Sequence, residues 1–258
     1  ISSIKYYVPA WEHISLKDSF IEGGQEDLII IFDTNGNRFE NVIKEAVPTK
    51  AVLVTPGDEF QQVGQTSYTM RFDQGSDYTS LLRDLVKDGH VPTHIILGCS
   101  APTRENTLEE LLDHHDISEK LHAELNYNSI AVFHVLKAWK EVLDKKELTL
   151  LACEPLTDGL ERVMSSTIRG FAHSLQLHMP WVKMKTVQMP ARLMETQPRR
   201  LLSELFKARE ITRVKLLPEM NNRYEMKFQP MVLTNYQASL LRMGGNYLVT
   251  GGMGGIGK

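Results

Sequence analysis

Five glycines fall in the seven residues Gly251 to Gly257, within Thr250-Gly-Gly-Met-Gly-Gly-Ile-Gly-Lys258. The stretch follows the apolar run Tyr247-Leu-Val249. After a buried strand, such glycines permit a tight turn and let backbone N–H groups approach a pyrophosphate, which the N-terminus of a following helix would favour. The other chemistry-bearing residues are more scattered. Gly98-Cys-Ser100-Ala-Pro102 has the outline of a G-x-S-x-G elbow, but Pro102 stands where the second glycine belongs, so it reads as a strand-exit turn. His114 and His115 are adjacent, and adjacent side chains diverge on most backbones; no H-E-x-x-H spacing occurs, and no metal site is expected. Cys99 and Cys153 each close an apolar run and are expected as buried reduced thiols, which suits a cytoplasmic protein. Pro198-Arg-Arg200 is expected to start a helix with a solvated basic face.

Two grammars share the glycine stretch. Thr250-Gly251 with Gly255 and Gly257 gives the T-G-x-x-x-G-x-G of short-chain dehydrogenases, whereas Gly252 with Gly257-Lys258 gives a P-loop that lacks its final Ser or Thr. The doubled glycines and the leading Thr favour the dehydrogenase grammar. A dehydrogenase of this class needs Tyr-x-x-x-Lys, in which the Lys lowers the Tyr pKa and the Tyr passes a proton to the carbonyl. None of the eight tyrosines has a Lys four positions later. No catalytic residue is therefore assigned, and the catalytic apparatus is expected beyond Lys258, with this chain an excerpt of a longer one. The first strand-like run, Leu28 to Phe32, leads into Asp33-Thr-Asn-Gly36, where a dinucleotide fold wants G-x-G-x-x-G. Asp33 there would oppose a phosphate.

These residues need a scaffold, and the hydrophobic pattern supplies one. The chain has 258 residues, 42% of them hydrophobic, which is enough for a sizeable core. A net charge of -3 gives no basic excess for nucleic acid, and no apolar run approaches a membrane span. Continuous apolar runs at Leu28–Phe32, Ala51–Val54, His94–Leu97 and Leu148–Ala152 end at turn residues, as strands buried on both faces do, and Val182–Val187 alternates as a further strand. Helical spacing is expected from Leu121 to Leu143, from Thr157 to Met179, and in shorter stretches at Asn41–Val47, Tyr78–Lys87 and Pro198–Arg209. The alternation predicts an α/β, Rossmann-like, doubly wound, mostly parallel sheet. Ile4 to Trp11 reads as an extra strand before it, and Thr212–Leu217 with Arg223–Phe228 as a hairpin after it. A domain over 1–232 is expected, followed at 233–258 by a connector, a strand and the glycine loop.

The ensemble resembles the ketoreductase domain of modular polyketide synthases, in which a structural subdomain precedes the catalytic short-chain dehydrogenase subdomain. The resemblance is carried by Tyr6-Tyr-Val-Pro-Ala-Trp11, His94-Ile-Ile-Leu-Gly-Cys-Ser100, Gly170-Phe-Ala-His-Ser-Leu175 with Met179-Pro180, Arg223-Tyr224, and above all Tyr247-Leu-Val-Thr-Gly-Gly-Met-Gly-Gly-Ile-Gly257. Cys99 stands where the family usually has Trp, and His178-Met179 where it usually has Glu. The resemblance implies a truncated dehydrogenase-like structural half that binds no cofactor and supports NADPH-dependent reduction of a β-ketoacyl group by the half that follows. It implies cofactor contacts at Gly251, Gly252, Met253, Gly255, Ile256 and Gly257. Implied partners are the catalytic subdomain, an acyl carrier protein with its phosphopantetheine-bound substrate, and neighbouring synthase domains. A P-loop nucleotide hydrolase fragment or a free-standing scaffolding module are the alternatives.

Overall fold

The computed structural model describes residues 5–14, 27–34, 50–98, 118, 122, 125–156, 160–190, 193, 196–206, 213–219, 222–231 and 244–246. Contacts divide the chain into two compact units, Trp11–Met226 and Ile1–Ala10 with Lys227–Lys258. The elements are β1 (Tyr6–His13), β2 (Leu28–Phe32), β3 (Lys50–Pro56), β4 (Gln61–Gly64), β5 (Ser67–Met70), α1 (Gly75–Lys87), β6 (His94–Leu97), a π-helical turn (Asn126–Ile130) leading into α2 (Ala131–Leu143), β7 (Leu148–Pro155), α3 (Leu160–His178), β8 (Val182–Met189), α4 (Pro198–Phe206), β9 (Arg213–Leu216) and β10 (Arg223–Met231).

The strands run in the order β1-β10-β9-β8-β7-β6-β2-β3-β5-β4. Every pair from β5 through β3, β2, β6, β7 and β8 to β9 is parallel. Antiparallel strands flank this run, with β4 on β5 and β10 on β9. The sheet is thus the mostly parallel, doubly wound one that the apolar runs predict. All five residues of β2 are buried because both faces are covered. Leu28, Ile30 and Phe32 pack with Tyr78 and Leu81 of α1, Val135 and Trp139 of α2, and Ile168 and Leu175 of α3. Ile29 and Ile31 face the other way, into the cluster that holds Leu201, Leu202 and Leu205 of α4.

Two elements escaped the sequence reading. β4 and β5 carry Gln61, Gln62, Ser67 and Thr69, so no continuous apolar run marks them. Only Tyr68 and Met70 of that hairpin are buried. Helix α1 starts at Gly75, one turn before the expected Tyr78, because Arg71 fixes the Asp77 carboxylate in its first turn through Nε at 3.0 Å and Nη2 at 2.8 Å. The expected helix at 41–47, the strand at 247–250 and the glycine loop lie outside the described residues.

The smaller unit contributes the first part of β1 and the last part of β10. Tyr6, Tyr7 and Val8, and Phe228 and Met231, are all exposed. In the larger unit, Trp11 carries the Lys215 ammonium 4.3 Å and the Arg213 guanidinium 4.9 Å from its ring centre, a cation–π arrangement at this end of the sheet. No helix among the described residues is long and apolar enough to cross a membrane.

Candidate functional site

In an open parallel sheet, ligands bind beyond the carboxyl ends of the strands, above all where the strand order reverses. Here the chain builds outward from β2 to β3 and β5, then returns to place β6 on the opposite side of β2. The switch point therefore lies between the ends of β2 and β6, at Phe32-Asp33 and Leu97-Gly98. A pyrophosphate there would need free backbone N–H groups and no opposing charge. Of that switch point, the described residues are the two strand ends. The Asp33 N–H donates to the Val54 carbonyl at 2.8 Å, and the Gly98 N–H donates to the Phe32 carbonyl at 2.8 Å. The Asp33 side chain is itself buried, at 1% exposure. Burying a carboxylate beside a dianion would be costly. At these two strand ends, then, the described backbone donors are held within the sheet.

The next strand end holds a second buried carboxylate. Glu154 closes β7 and is 0% exposed. Its ion partner is Arg169 of α3, at 3.6 Å, and the Thr186 and Gln188 side chains of β8 also act on it. Burial pushes the Glu154 carboxyl above its ordinary range, and Arg169 and Arg213 only partly oppose this. A carboxyl raised in the folded state binds its proton more tightly there than in the unfolded chain. Its contribution to stability is full below the unfolded pKa and is lost as pH rises through the folded one. Wild-type stability relative to Glu154→Gln is expected to fall as pH rises from about 4 toward neutrality. Urea unfolding of both proteins across that range checks it; parallel curves would remove Glu154 as the cause. The neighbouring Cys153 is fully buried, and burial raises its thiol, so it stays protonated and inert, as expected for a packed cysteine.

The carboxyl ends of β3 and β5 open into a cleft of about 380 Å³, lined by Pro56, Gly57, Asp58, Met70, Arg71, Phe72, Asp73, Gln74, Asn126 and Tyr127. No sequence motif announces it, because its lining comes from three separated turns. The π-helical turn before α2 supplies Asn126 and Tyr127. Such turns recur at functional sites.

The candidate cofactor residues Gly251, Gly252, Met253, Gly255, Ile256 and Gly257 lie outside the described residues, as do Cys99, Ser100, His114 and His115. Of the other residues singled out, His134 is a packed histidine beside Tyr78, with ring centres 5.5 Å apart. Its Nδ1 would lie 2.8 Å from a Cβ added at Gly75, so glycine there admits the close approach. Arg200 departs from its expected solvated role: it is half-buried and donates to the Leu217 carbonyl at 2.6 Å and the Asn222 carbonyl at 3.3 Å, holding the β9–β10 turn. Among the described residues, no group of three or more His, Cys, Asp and Glu is placed to hold a metal ion. Helix α3, which covers β7, contains neither Tyr nor Lys.

A family model described as beta-ketoacyl synthase-like, N-terminal, matches residues 27–208. A search of curated proteins gives no match. Among solved structures, a keto acid-selecting NRPS module containing adenylation, ketoreductase and pseudo Asub domains matches at a TM-score of 0.75 and 18% identity, over 97% of this chain and 21% of that one. An N-terminal ketoreductase from the macrolactin assembly line matches at 0.68 and 18%, over 88% of this chain and 45% of that one. A short-chain dehydrogenase/reductase from Serratia marcescens matches at 0.57 and 12%, over 76% of this chain and 98% of that one. The chain thus spans about a fifth of the first and under half of the second. These likenesses establish a Rossmann-like fold shared with ketoreductases and short-chain dehydrogenases, and they give the nucleotide-hydrolase and scaffolding readings no support. With well over half of its length matched, the chain belongs to the beta-ketoacyl synthase-like, N-terminal family, and it resembles the ketoreductase portion of assembly-line synthases.

Proposed function

We propose that this chain is the non-catalytic structural half of a polyketide synthase ketoreductase. Its role is to support a following catalytic half that reduces a β-ketoacyl group on an acyl carrier protein with NADPH. The observation that carries the reading is the switch point: a full parallel sheet in which Asp33 and Gly98 have spent their N–H groups on neighbouring strands. Such a sheet supports the reading of a reductase-like architecture that serves as a scaffold. The lack of any Tyr-x-x-x-Lys in the chain agrees with this. An exposed apolar strand also supports it. β1 ends the strand order, and Tyr6, Tyr7 and Val8 are 41%, 55% and 41% exposed, as a strand awaiting a further neighbour would be.

In the complete domain, the cofactor contacts would fall at Gly251, Gly252, Met253, Gly255, Ile256 and Gly257, and the boundary near residue 232 would separate scaffold from catalytic half. The cofactor would supply the hydride. This chain's own residues would hold the sheet and present its edge. Fluorescence titration of NADPH tests the reading: the 258-residue chain alone is expected to give no saturable binding, whereas the chain extended through its catalytic half binds. Tight binding by the chain alone would overturn it.

A further inference from the structure

We propose that the surface around Trp181, where α2 runs out at the amino ends of β7 and β8, docks an acidic polypeptide segment that carries an apolar side chain. This surface lies away from the carboxyl ends of the strands and does not rest on the structural-half reading.

The charge there is unbalanced. Lys137 and Lys140 are exposed on α2, Lys145 and Lys146 lie exposed just past its end, and Lys183 starts β8. Three carboxylates stand among them, and each has its own cation. Asp144 is held by Lys140, Glu147 by Lys183 at 3.3 Å, and Glu141 by Arg83 at 2.7 Å. The ammonium groups of Lys137, Lys145 and Lys146 make no ion pair among the described residues. The surface thus keeps three uncompensated positive charges on a chain whose net charge is -3.

An aromatic ring sits at the centre. Trp181 packs one side on the core and leaves the rest half-exposed, with the Lys140 ammonium 5.8 Å and the Lys145 ammonium 5.9 Å from its ring centre. A large aromatic beside fixed charges is the kind of anchor on which interfaces concentrate their binding energy. The surface is also preformed. Trp139 Nε1 donates to the Lys146 carbonyl at 2.9 Å, and the Leu148 N–H donates to the Trp181 carbonyl at 3.0 Å. Asp144, between α2 and the two lysines, takes a φ of 53°, which a non-glycine residue rarely adopts, and this turn brings Lys145 back over Trp181. Docking therefore orders side chains and not backbone. Carboxylates complement the three ammonium groups, and an apolar side chain complements the open part of the ring. The uncompensated charges are all lysine, without the guanidinium fork that grips phosphate at two points, and the acidic chain around them repels a polyanion such as nucleic acid.

The test is calorimetric titration of the full-length protein with a synthetic peptide of glutamates interrupted by leucines. At low salt the peptide is expected to bind with a Kd of about 100 μM, weakening severalfold as salt rises to about 0.2 M. The double variant Lys145→Glu, Lys146→Glu is expected to lose about tenfold or more in affinity, and the same peptide with serine for leucine about fivefold. Both lysines are exposed and unpaired, so circular dichroism of the double variant should match wild type. No binding by wild type, an undiminished double variant, equal binding of a peptide with glutamine for glutamate, or tighter binding of a single-stranded oligonucleotide would each overturn the proposal. The NADPH titration, run separately, reports on the structural-half reading alone.

Discussion

Replacing Glu204 by alanine is expected to destabilise the fold by about 3–5 kcal/mol, the cost of breaking a buried ion cluster from one side. Glu204, on α4, is 0% exposed. Its Oε1 accepts from Arg223 Nε at 2.6 Å, and its Oε2 accepts from Arg223 Nη2 at 3.1 Å and Lys185 Nζ at 3.4 Å. Lys185 also donates to the Glu204 carbonyl at 2.6 Å, and Arg223 pairs with the buried Glu225. Two cations and two carboxylates so balance in the core beside α4, joining that helix to β8 and β10. Without the Glu204 carboxylate, Lys185 and Arg223 lose their shared acceptor. Burial already pushes the Lys185 ammonium below its ordinary range, with Glu204 holding it up. Glu204→Gln keeps the shape and one acceptor, so its loss should be smaller. Urea unfolding at neutral pH measures both; a loss under about 1 kcal/mol for the alanine variant would show that the cluster is solvated and its members independent.

This cluster marks the boundary of what could be read from the sequence. Its partners are separated along the chain, and nothing in Lys185, Glu204 or Arg223 taken singly distinguishes a buried charge from a solvated one. The same limit applies to Arg200, whose place in a basic run suggested a solvated face although its guanidinium braces a turn. The central parallel strands β2, β3, β6 and β7 were legible because burial on both faces forces continuous apolar runs: Leu28 to Phe32 needs no partner in view to be recognised. β4 and β5 were not legible, since an edge hairpin with one covered face needs only Tyr68 and Met70 to be apolar. The C-terminal hairpin was legible from its alternation around Glu219-Met-Asn-Asn222. At the candidate sites the contrast is sharper. Asp33 was visible in sequence as a carboxylate at the end of the first strand-like run, and the structure places it buried there, with its N–H donated to Val54. The cleft beside Phe72 and Tyr127 was invisible, because three turns far apart in sequence converge only when the sheet forms.

The largest functional effect is expected from removing the chain altogether. On the proposed reading, a catalytic half that begins near residue 233 would lose the sheet edge that β1 offers. Misplacing a cofactor or substrate by about 1 Å costs about a hundredfold in rate. Loss of the whole scaffold should exceed that. The direct measurement is NADPH consumption with a β-ketoacyl thioester by three proteins: the complete domain, the catalytic half alone, and the 258-residue chain alone. Turnover is expected from the complete domain, a loss of more than about a hundredfold in the isolated catalytic half, and none from the chain. Full activity in the catalytic half alone, or turnover by the chain alone, would contradict it.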